Sequence, residues 1–285
     1  MTIDAHQHFW NLEEASYPWL TEAYGPIFRS FDETELEPEL RLCDVSGTVL
    51  VQSMDSYEDS ESMFALARRW KYVAGVVAWV PLMRVAEAAA AIERFNQHEV
   101  FVGIRHLIHE DPDPDWLLRD DVQEGLSLLE ANGLTFDVVA VLPRHLEHVS
   151  TLAENFPRLK LVVDHMAKPP IKDGGWSPWA ELMTRAAKHP NVYTKLSGLN
   201  TAADWKTWSA DDLRPYFDHV LEEFGVNRIM FGSDWPVSIL AGGYQKVWNE
   251  TLSLLSKLSE GERSMVLGDT AREFYGLKER AVDDR

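Results

Sequence analysis

Eight short apolar segments recur along the chain, and longer amphipathic segments separate them. The apolar segments are rich in valine, isoleucine, leucine and phenylalanine. Several are almost continuously apolar, which is typical of parallel strands covered on both faces. We therefore predict eight strands: Ile3–Phe9, Gly47–Gln52, Val73–Val80, Phe101–Ile108, Phe136–Val141, Leu159–His165, Val192–Ser197 and Arg228–Ser233.

The intervening segments repeat apolar residues at helical spacing. After the second strand, for example, Met63, Phe64, Ala67 and Trp70 fall on one face of a helix. We predict helices over Ser60–Trp70, Val85–Phe95, Asp120–Ala131, Leu146–Phe156, Trp179–Ala187, Leu213–Phe224, Val247–Leu258 and Arg263–Tyr275.

This alternation predicts an α/β fold, a (β/α)8 TIM barrel in which residues 1–285 form a single domain. A doubly wound open sheet is the alternative. It usually has a glycine-rich turn after its first strand, whereas residues 5–9 read AHQHF here. The long segment 11–38, between the first strand and the next helix, is expected to cover part of the barrel mouth. Residues Val282–Arg285 are expected to form a frayed tail.

Composition narrows the classes of function. With 27 basic and 46 acidic residues the formal charge is −19, which argues against a nucleic acid or an anionic membrane as a partner. Cys43 is the only cysteine, so neither an internal disulfide nor a cysteine zinc site can form. The first residues do not resemble a signal peptide, and no apolar run is long enough to cross a bilayer. We therefore expect a cytoplasmic protein, and the sequence leaves its oligomeric state open.

Two histidines occur on the first predicted strand. Because side chains alternate between the faces of a strand, His6 and His8 point the same way, which near the end of a barrel strand can be into the mouth. Two imidazoles on one face can bind one metal ion or contact one oxyanion. A chance pair, satisfied by the backbone, is the alternative.

Ionisable residues end other predicted strands as well. His165 ends the sixth strand and Asp234 follows the eighth. A core histidine bonded to a carbonyl and an aspartate that caps a turn are the alternatives. By alternation, Asp164 is expected to point away from the lumen. Alternation also lets only one of Arg105 and His106 face the lumen unless a bulge intervenes.

Further candidates are Asp137 on the fifth strand and Lys195 on the seventh, for which an ion pair between strand and helix layers is the alternative. Four tryptophans could wall a pocket or pack in the core: Trp10, Trp19, Trp205 and Trp235. The number of candidates favours function, because six or more strands end in an ionisable residue at the face where barrel enzymes place their sites. Isolated buried charges are costly, so these groups must pair with each other, a metal or a substrate.

Five motifs resemble those of the amidohydrolase superfamily, in its sugar-lactonase group. They are Asp4 to Trp10, Gly103 to His106, Asp164 to Pro169, Lys195 to Leu199 and Phe231 to Val237. The likeness runs over essentially the whole chain and is greatest to aldonolactone hydrolases, with L-fucono-lactone as the type of substrate. It implies a hydrolase that acts on the carboxylic ester bond of a lactone.

The resemblance also implies roles for individual residues. Asp234 would activate water, and His6, His8 and His165 would line the reaction centre. The fourth strand lacks the bridging lysine of two-metal amidohydrolases, and the fifth carries Asp137 where those enzymes carry a histidine, so no binuclear centre is expected. Either no cofactor is required, or one divalent ion, zinc for preference, is held by His6, His8 and Asp234.

The expected reaction opens a sugar-derived lactone to its hydroxy acid. Asp234 would take a proton from water, while the histidines, or an ion they hold, stabilise the oxyanion. The candidate substrate contacts are Arg105, His106, Asp137, Lys195 and Trp235. The alternatives are a metal-dependent decarboxylase, a hydrolase of aromatic-derived lactones or dicarboxylates in the same superfamily, and a non-catalytic sugar-binding barrel.

Overall fold

Eight parallel strands form the centre of the molecule. The computed structural model describes residues 1–278 except for the side chain of Glu110, so the predicted tail Val282–Arg285 lies outside the described residues. The strands are β1 Ile3–Gln7, β2 Gly47–Val51, β3 Val73–Ala78, β4 Phe101–His106, β5 Thr135–Val138, β6 Lys160–Val163, β7 Val192–Leu196 and β8 Ile229–Phe231. Each strand pairs in parallel with the next one in the chain.

The sheet closes between its first and last strands through bonds just beyond β8. The Asp234 N–H donates to the carbonyl of His6 at 2.9 Å, and the His8 N–H donates to the carbonyl of Trp235 at 2.8 Å. The Asp4 carboxylate also accepts from the Ser233 N–H at 2.8 Å. We call this junction the β1–β8 seam. The predicted (β/α)8 barrel is confirmed.

Helices surround the barrel. They are α1 Glu33–Leu42, α2 Tyr57–Arg69, α3 Val85–Phe95, α4 Asp120–Asn132, α5 Pro143–Asn155, α6 Trp179–Ala187, α7 Ala210–Phe224, α8 Gly243–Leu254, α9 Glu260–Ser264 and α10 Thr270–Tyr275. Short 3-10 segments connect several of them, and a π-helical turn over Met265–Asp269 separates α9 from α10. In the described part of the chain, none of these helices combines the length and the apolarity that crossing a bilayer requires.

Two regions differ from the predictions: the segment 11–38 was predicted as a loop, and Arg263–Tyr275 as one helix. The segment 11–38 contains the start of α1, whose N-cap Asp32 accepts a hydrogen bond from the Thr34 N–H at 2.9 Å. Pro38 lies inside this helix on its exposed side, and it removes one backbone donor from the helix. The helix predicted over Arg263–Tyr275 is instead interrupted by the π-helical turn.

Helix α10 covers the N-terminal end of the barrel. Its Phe274 and Tyr275 are buried and pack in one cluster with lumen residues such as Val162 and Met230. The Lys160 ammonium donates to the carbonyl of Phe274 at 2.9 Å and so ties β6 to the helix. The lumen is therefore sealed below by apolar side chains, and polar groups collect toward the other end.

Candidate active site

A cavity of about 320 Å³ opens at the C-terminal end of the barrel. Residues at or just beyond the ends of several strands line it, among them His8, Arg105, His165 and Asp234. The segment 11–38 contributes Trp19 to the wall, and the Trp19 indole N–H donates to the carbonyl of Ser53 at 2.7 Å. This end of the barrel is where enzymes of this architecture place their sites.

His6, His8 and Asp234 meet at the β1–β8 seam. The Nε2 atoms of the two histidines lie 3.0 Å apart. Asp234 Oδ1 lies 3.5 Å from Nε2 of His8 and 3.8 Å from Nε2 of His6. All three residues are buried. The backbone bonds that close the barrel therefore also bring this carboxylate to the two imidazoles.

The three residues have the donor set of a metal site. His8 Nδ1 faces the carbonyl of Val51 at 2.7 Å, and because a carbonyl only accepts, Nδ1 carries the proton and Nε2 presents its lone pair. That lone pair points at a second imidazole nitrogen and a carboxylate oxygen, an arrangement that a cation would stabilise. His6, His8 and Asp234 thus fit one divalent ion such as zinc.

Asp164 does not point away from the lumen, and this prediction was wrong. Its carboxylate lies 3.0 Å from Nη1 of Arg105, 3.1 Å from Nζ of Lys195 and 3.2 Å from Nδ1 of His6. Strand β6 ends at Val163, and left-handed residues follow it, so the alternation of a pleated strand no longer applies. Asp164 is a buried anion that joins three functional side chains.

Lys195 and Asp137 lie beneath the cavity rather than in its wall. Both are fully buried, and the Lys195 ammonium contacts the Asp137 carboxylate at 2.5 Å. The Tyr275 hydroxyl donates to the same carboxylate at 2.9 Å from α10 below. We call Tyr275, Asp137 and Lys195 the polar column. Its upper end contacts Nδ1 of His6 at 3.1 Å, so the column supports the site and does not reach a substrate.

Arg105 and His106 face opposite sides of β4. Arg105 lines the cavity and donates to Asp164 and to the carbonyl of Gln52. His106 lies behind the sheet, where its ring stacks on Trp116 with centroids 4.1 Å apart and its Nδ1 accepts from the Trp79 indole at 3.0 Å. The structure therefore removes His106 from the candidate substrate contacts.

Of the four candidate tryptophans, two line the cavity and two pack in the core. Trp205 and Trp19 line the cavity. Trp235 is buried instead against Phe31, with ring centroids 5.2 Å apart, and Trp10 packs on the same ring. Trp235 and Trp10 thus belong to the core beneath the segment 11–38 and do not face a ligand.

His165 approaches Asp234 across a glycine. A Cβ atom at Gly198, whose φ is +59°, would lie 2.6 Å from Nδ1 of His165 and 3.0 Å from Oδ2 of Asp234. Only glycine accepts both this conformation and this crowding. His165 Nδ1 also bonds the Ser197 hydroxyl at 2.8 Å, which fixes the ring beside the carboxylate.

Burial and neighbouring charges determine which side chains of the site are ionised. Loss of solvent lowers the pKa of His165 to about 4 and holds the pKa of His6 well below its usual range, so both rings are neutral at neutral pH. Burial opposes ionisation of Asp234, but nearby positive charge, which includes the Lys168 ammonium, outweighs it and keeps the pKa of Asp234 below the ordinary value. The site thus presents a carboxylate beside the neutral imidazoles of His6 and His165.

Sequence reasoning assigned no role to several residues of the cavity wall. They are Tyr24, Ser53, His109, Lys168 and Thr201, together with apolar side chains from the loops after β4, β5 and β8. Lys168 occurs in one of the recognised motifs, so its position was a usable signal. The others lie in loops whose course the apolar pattern does not encode.

Comparison with known proteins identifies the family. A family model described as Amidohydrolase matches residues 3–277. A protein of Burkholderia ambifaria named L-fucono-1,5-lactonase is 38% identical over 99% of this chain and 97% of its own length. A protein of the same name from Burkholderia multivorans is 33% identical over 99% and 98%.

Comparison with solved structures points to the same family. An amidohydrolase from Burkholderia multivorans, crystallised with bound zinc, superposes with a TM-score of 0.90 at 31% identity and covers 98% of this chain and 100% of its own. The family match, the relatives and the shared barrel confirm the predicted resemblance. This chain belongs to the amidohydrolase family.

Proposed function

We propose that this protein hydrolyses a sugar-derived lactone to its hydroxy acid, with L-fucono-1,5-lactone or a similar aldonolactone as substrate. The observation that carries the proposal is the meeting of Asp234 with His6, His8 and His165 at one cavity, which all of them except His6 line. Its volume of about 320 Å³ suits a small molecule. The names of the two Burkholderia relatives support the choice of lactone.

In this proposal Asp234 takes the proton from the attacking water. His8 lies 3.5 Å from the carboxylate, and His165, held by Ser197, forms the facing wall. Arg105 directs positive charge toward the side of the cavity where the carbonyl oxygen becomes an oxyanion. The aromatic rings of Trp19 and Trp205 border the outer half and limit the access of bulk water.

A single divalent ion fits the same residues. His6, His8 and Asp234 would hold it, and Asp164, which contacts Nδ1 of His6, would orient that ring. A bound zinc ion lowers the pKa of water toward neutrality, which compensates for the weak basicity of a carboxylate with a depressed pKa. A second ion near Asp164 is disfavoured, because Arg105 and Lys195 already neutralise that carboxylate.

A panel of lactones tests the function directly. Aldonolactones in the 1,5 and 1,4 ring forms are incubated with the enzyme, and acid release is followed with a pH indicator. We expect turnover of at least one 6-carbon aldonolactone. Turnover only of aromatic-derived lactones would replace the substrate class, and release of CO2 from an aromatic acid would replace the reaction by a decarboxylation.

Substitution of Asp234 tests the mechanism. Asp234→Asn is expected to lower kcat by about 10²–10⁴-fold, because general-base catalysis contributes that much. The variant should fold, since the amide fills the same space, and a thermal melt checks this. Near-normal turnover in a folded Asp234→Asn variant would remove this residue from the mechanism.

A further inference from the structure

Lys168 is a cation in the cavity wall that the proposed mechanism leaves unused. It follows β6 and lines the same cavity as Asp234. Its side chain is partly buried, and loss of solvent lowers the pKa of its ammonium group. Within the described residues, no carboxylate lies within ion-pair distance of Nζ of Lys168.

One neutral contact holds the Lys168 ammonium. Nζ donates to Oγ1 of Thr201 at 3.0 Å. The Thr201 hydroxyl in turn donates to the carbonyl of Gly198 at 2.9 Å, so its oxygen can only accept from lysine. An ammonium has three donors, and this arrangement commits one of them. The other two remain available to a ligand in the cavity.

The backbone places this side chain at a conformational cost. His165, Met166, Ala167 and Lys168 all have positive φ, between 48° and 57°. Non-glycine residues rarely adopt this left-handed conformation, because their Cβ then lies too close to the following carbonyl oxygen. Strained segments of this kind occur at ligand sites, where the surrounding structure maintains them. Here the strain turns the chain so that both His165 and Lys168 face the cavity.

The hydrogen-bond donors of the cavity come from strands on both sides of Asp234. Asp234 follows β8, which has β1 as one neighbour and β7 as the other; His8 follows β1, whereas His165 and Lys168 follow β6 and Thr201 follows β7. Opening of a lactone places negative charge on two oxygens in turn. The carbonyl oxygen is charged on addition of water, and the ring oxygen is charged when the ring bond breaks. The proposed mechanism assigns Arg105, with any ion that the β1 histidines hold, to the first oxygen, so Lys168 is the cation of the cavity wall that is left for the second.

We propose that Lys168 donates a proton to the ring oxygen as the lactone opens, an inference that rests on the proposed function. Water bonds to the acyl carbon and gives a proton to Asp234. The bond between the acyl carbon and the ring oxygen then breaks, and the ring oxygen takes a proton from the Lys168 ammonium. The resulting amine regains a proton from solvent, while Asp234 releases the one it received.

Kinetics of Lys168→Ala with the aldonolactone that the wild type turns over fastest test this step. General acid catalysis predicts a loss of kcat of about 10²-fold or more, with a much smaller change in KM. Lys172→Ala, at an exposed lysine four residues further on, is the matched control and should keep wild-type kinetics. A rise in KM with unchanged kcat would assign Lys168 to substrate binding alone and overturn the inference.

Chemical rescue separates proton transfer from a structural role. Methylammonium added to Lys168→Ala should restore kcat by about tenfold, because a small acid can occupy the vacated space. Tetramethylammonium, which has the same charge and no N–H, should restore nothing. Rates without enzyme are subtracted, since amines also attack lactones. Equal effects of the two ions, or no rescue, would overturn the inference.

A second variant covers the case in which Lys168→Ala does not fold. Lys168→Arg keeps the charge and can still donate to Thr201, but a guanidinium does not give up its proton in proteins. We expect a folded enzyme with reduced kcat, and full kcat in this variant would overturn the inference. Absence of lactone turnover by the wild type would instead contradict the proposed function, so the two failures are distinguishable.

Discussion

Gly198 shows how closely the side chains of the site depend on one backbone position. Its φ is +59°, and a methyl group there would collide with His165 and Asp234. We expect Gly198→Ala to lower both the free energy of unfolding and kcat, because the strain is added where the imidazole and the carboxylate meet.

Gly133 provides the matched control for this prediction. It ends α4 with a φ of +68°, and its Cβ position is open. Gly133→Ala should cost about 1–2 kcal/mol of stability from the backbone alone and leave kcat unchanged. Urea unfolding and steady-state kinetics of both variants check this. Equal kcat values in the two variants would contradict the role of Gly198.

His106 makes stability depend on pH. Burial between Trp79 and Trp116 lowers its pKa to about 3, from about 6.5 in an unfolded chain, although the Asp55 carboxylate lies 3.2 Å from its Nε2. Between these values the unfolded state binds a proton that the native state does not. The contribution of His106 to stability is therefore lost as the pH falls, by up to about 1.4 kcal/mol per pH unit.

Substitution of His106 should remove this contribution. His106→Gln can still accept from the Trp79 indole and does not titrate, so its stability should fall less steeply than that of the wild type between pH 6.5 and 4. Urea unfolding at several pH values measures the two slopes. Parallel curves for the two proteins would show that His106 is protonated in the native state.

The residue pattern identified the catalytic candidates, but it did not identify most of the side chains that surround them. His6 and His8 share a face by strand alternation, and the structure brings them to Asp234. Asp164 was misplaced because alternation assumes a continuous pleat, and β6 ends one residue earlier. The side chains that line the loops, such as Tyr24, depend on tertiary contacts that no local spacing records.

At the scale of elements, α10 stabilises the barrel from below. The Tyr275 hydroxyl is a donor to the buried Asp137 carboxylate, whose other contact is the Lys195 ammonium. Tyr275→Phe should lower the free energy of unfolding by about 1–3 kcal/mol, because it removes a hydrogen bond from a buried charge. Since the polar column does not reach the cavity, kcat should change little.

Tyr193 is the matched control for Tyr275. Its ring packs on Phe274 with centroids 4.7 Å apart, and its hydroxyl makes no hydrogen bond within the described residues. Tyr193→Phe should change stability by less than about 0.5 kcal/mol. Thermal or urea unfolding compares the two variants, and equal losses would assign the effect of Tyr275 to packing.

Strands and helices were predictable where a single repeat of apolar residues, at strand or at helix spacing, runs along the whole element. All eight strands and the helices α2 to α8 follow from periodicity, although most ends differ by a few residues. Helix α1 was not predicted; it contains Pro38, a residue that ordinarily ends or bends a helix, and it begins at the Asp32 cap. The π-helical turn before α10 has no signal in an apolar period of 3.6 residues.

At the scale of the whole molecule, one metal ion would join the first strand to the segment after the last. His6 and His8 belong to or adjoin β1, and Asp234 follows β8. Zinc at 100 times its Kd should therefore stabilise the fold by about 2.7 kcal/mol, and a chelator should lower Tm. His8→Gln should show a smaller response, and an identical shift in both proteins would place the ion elsewhere.

The β1–β8 seam also has a consequence during protein synthesis. The groups that it unites come from opposite ends of the polypeptide, and the Asp234 N–H bonds the carbonyl of His6. On the proposed mechanism, a nascent chain therefore cannot open a lactone until Asp234, which follows the eighth strand, has been synthesised. Prematurely terminated products should be inert, however well their early strands have collapsed.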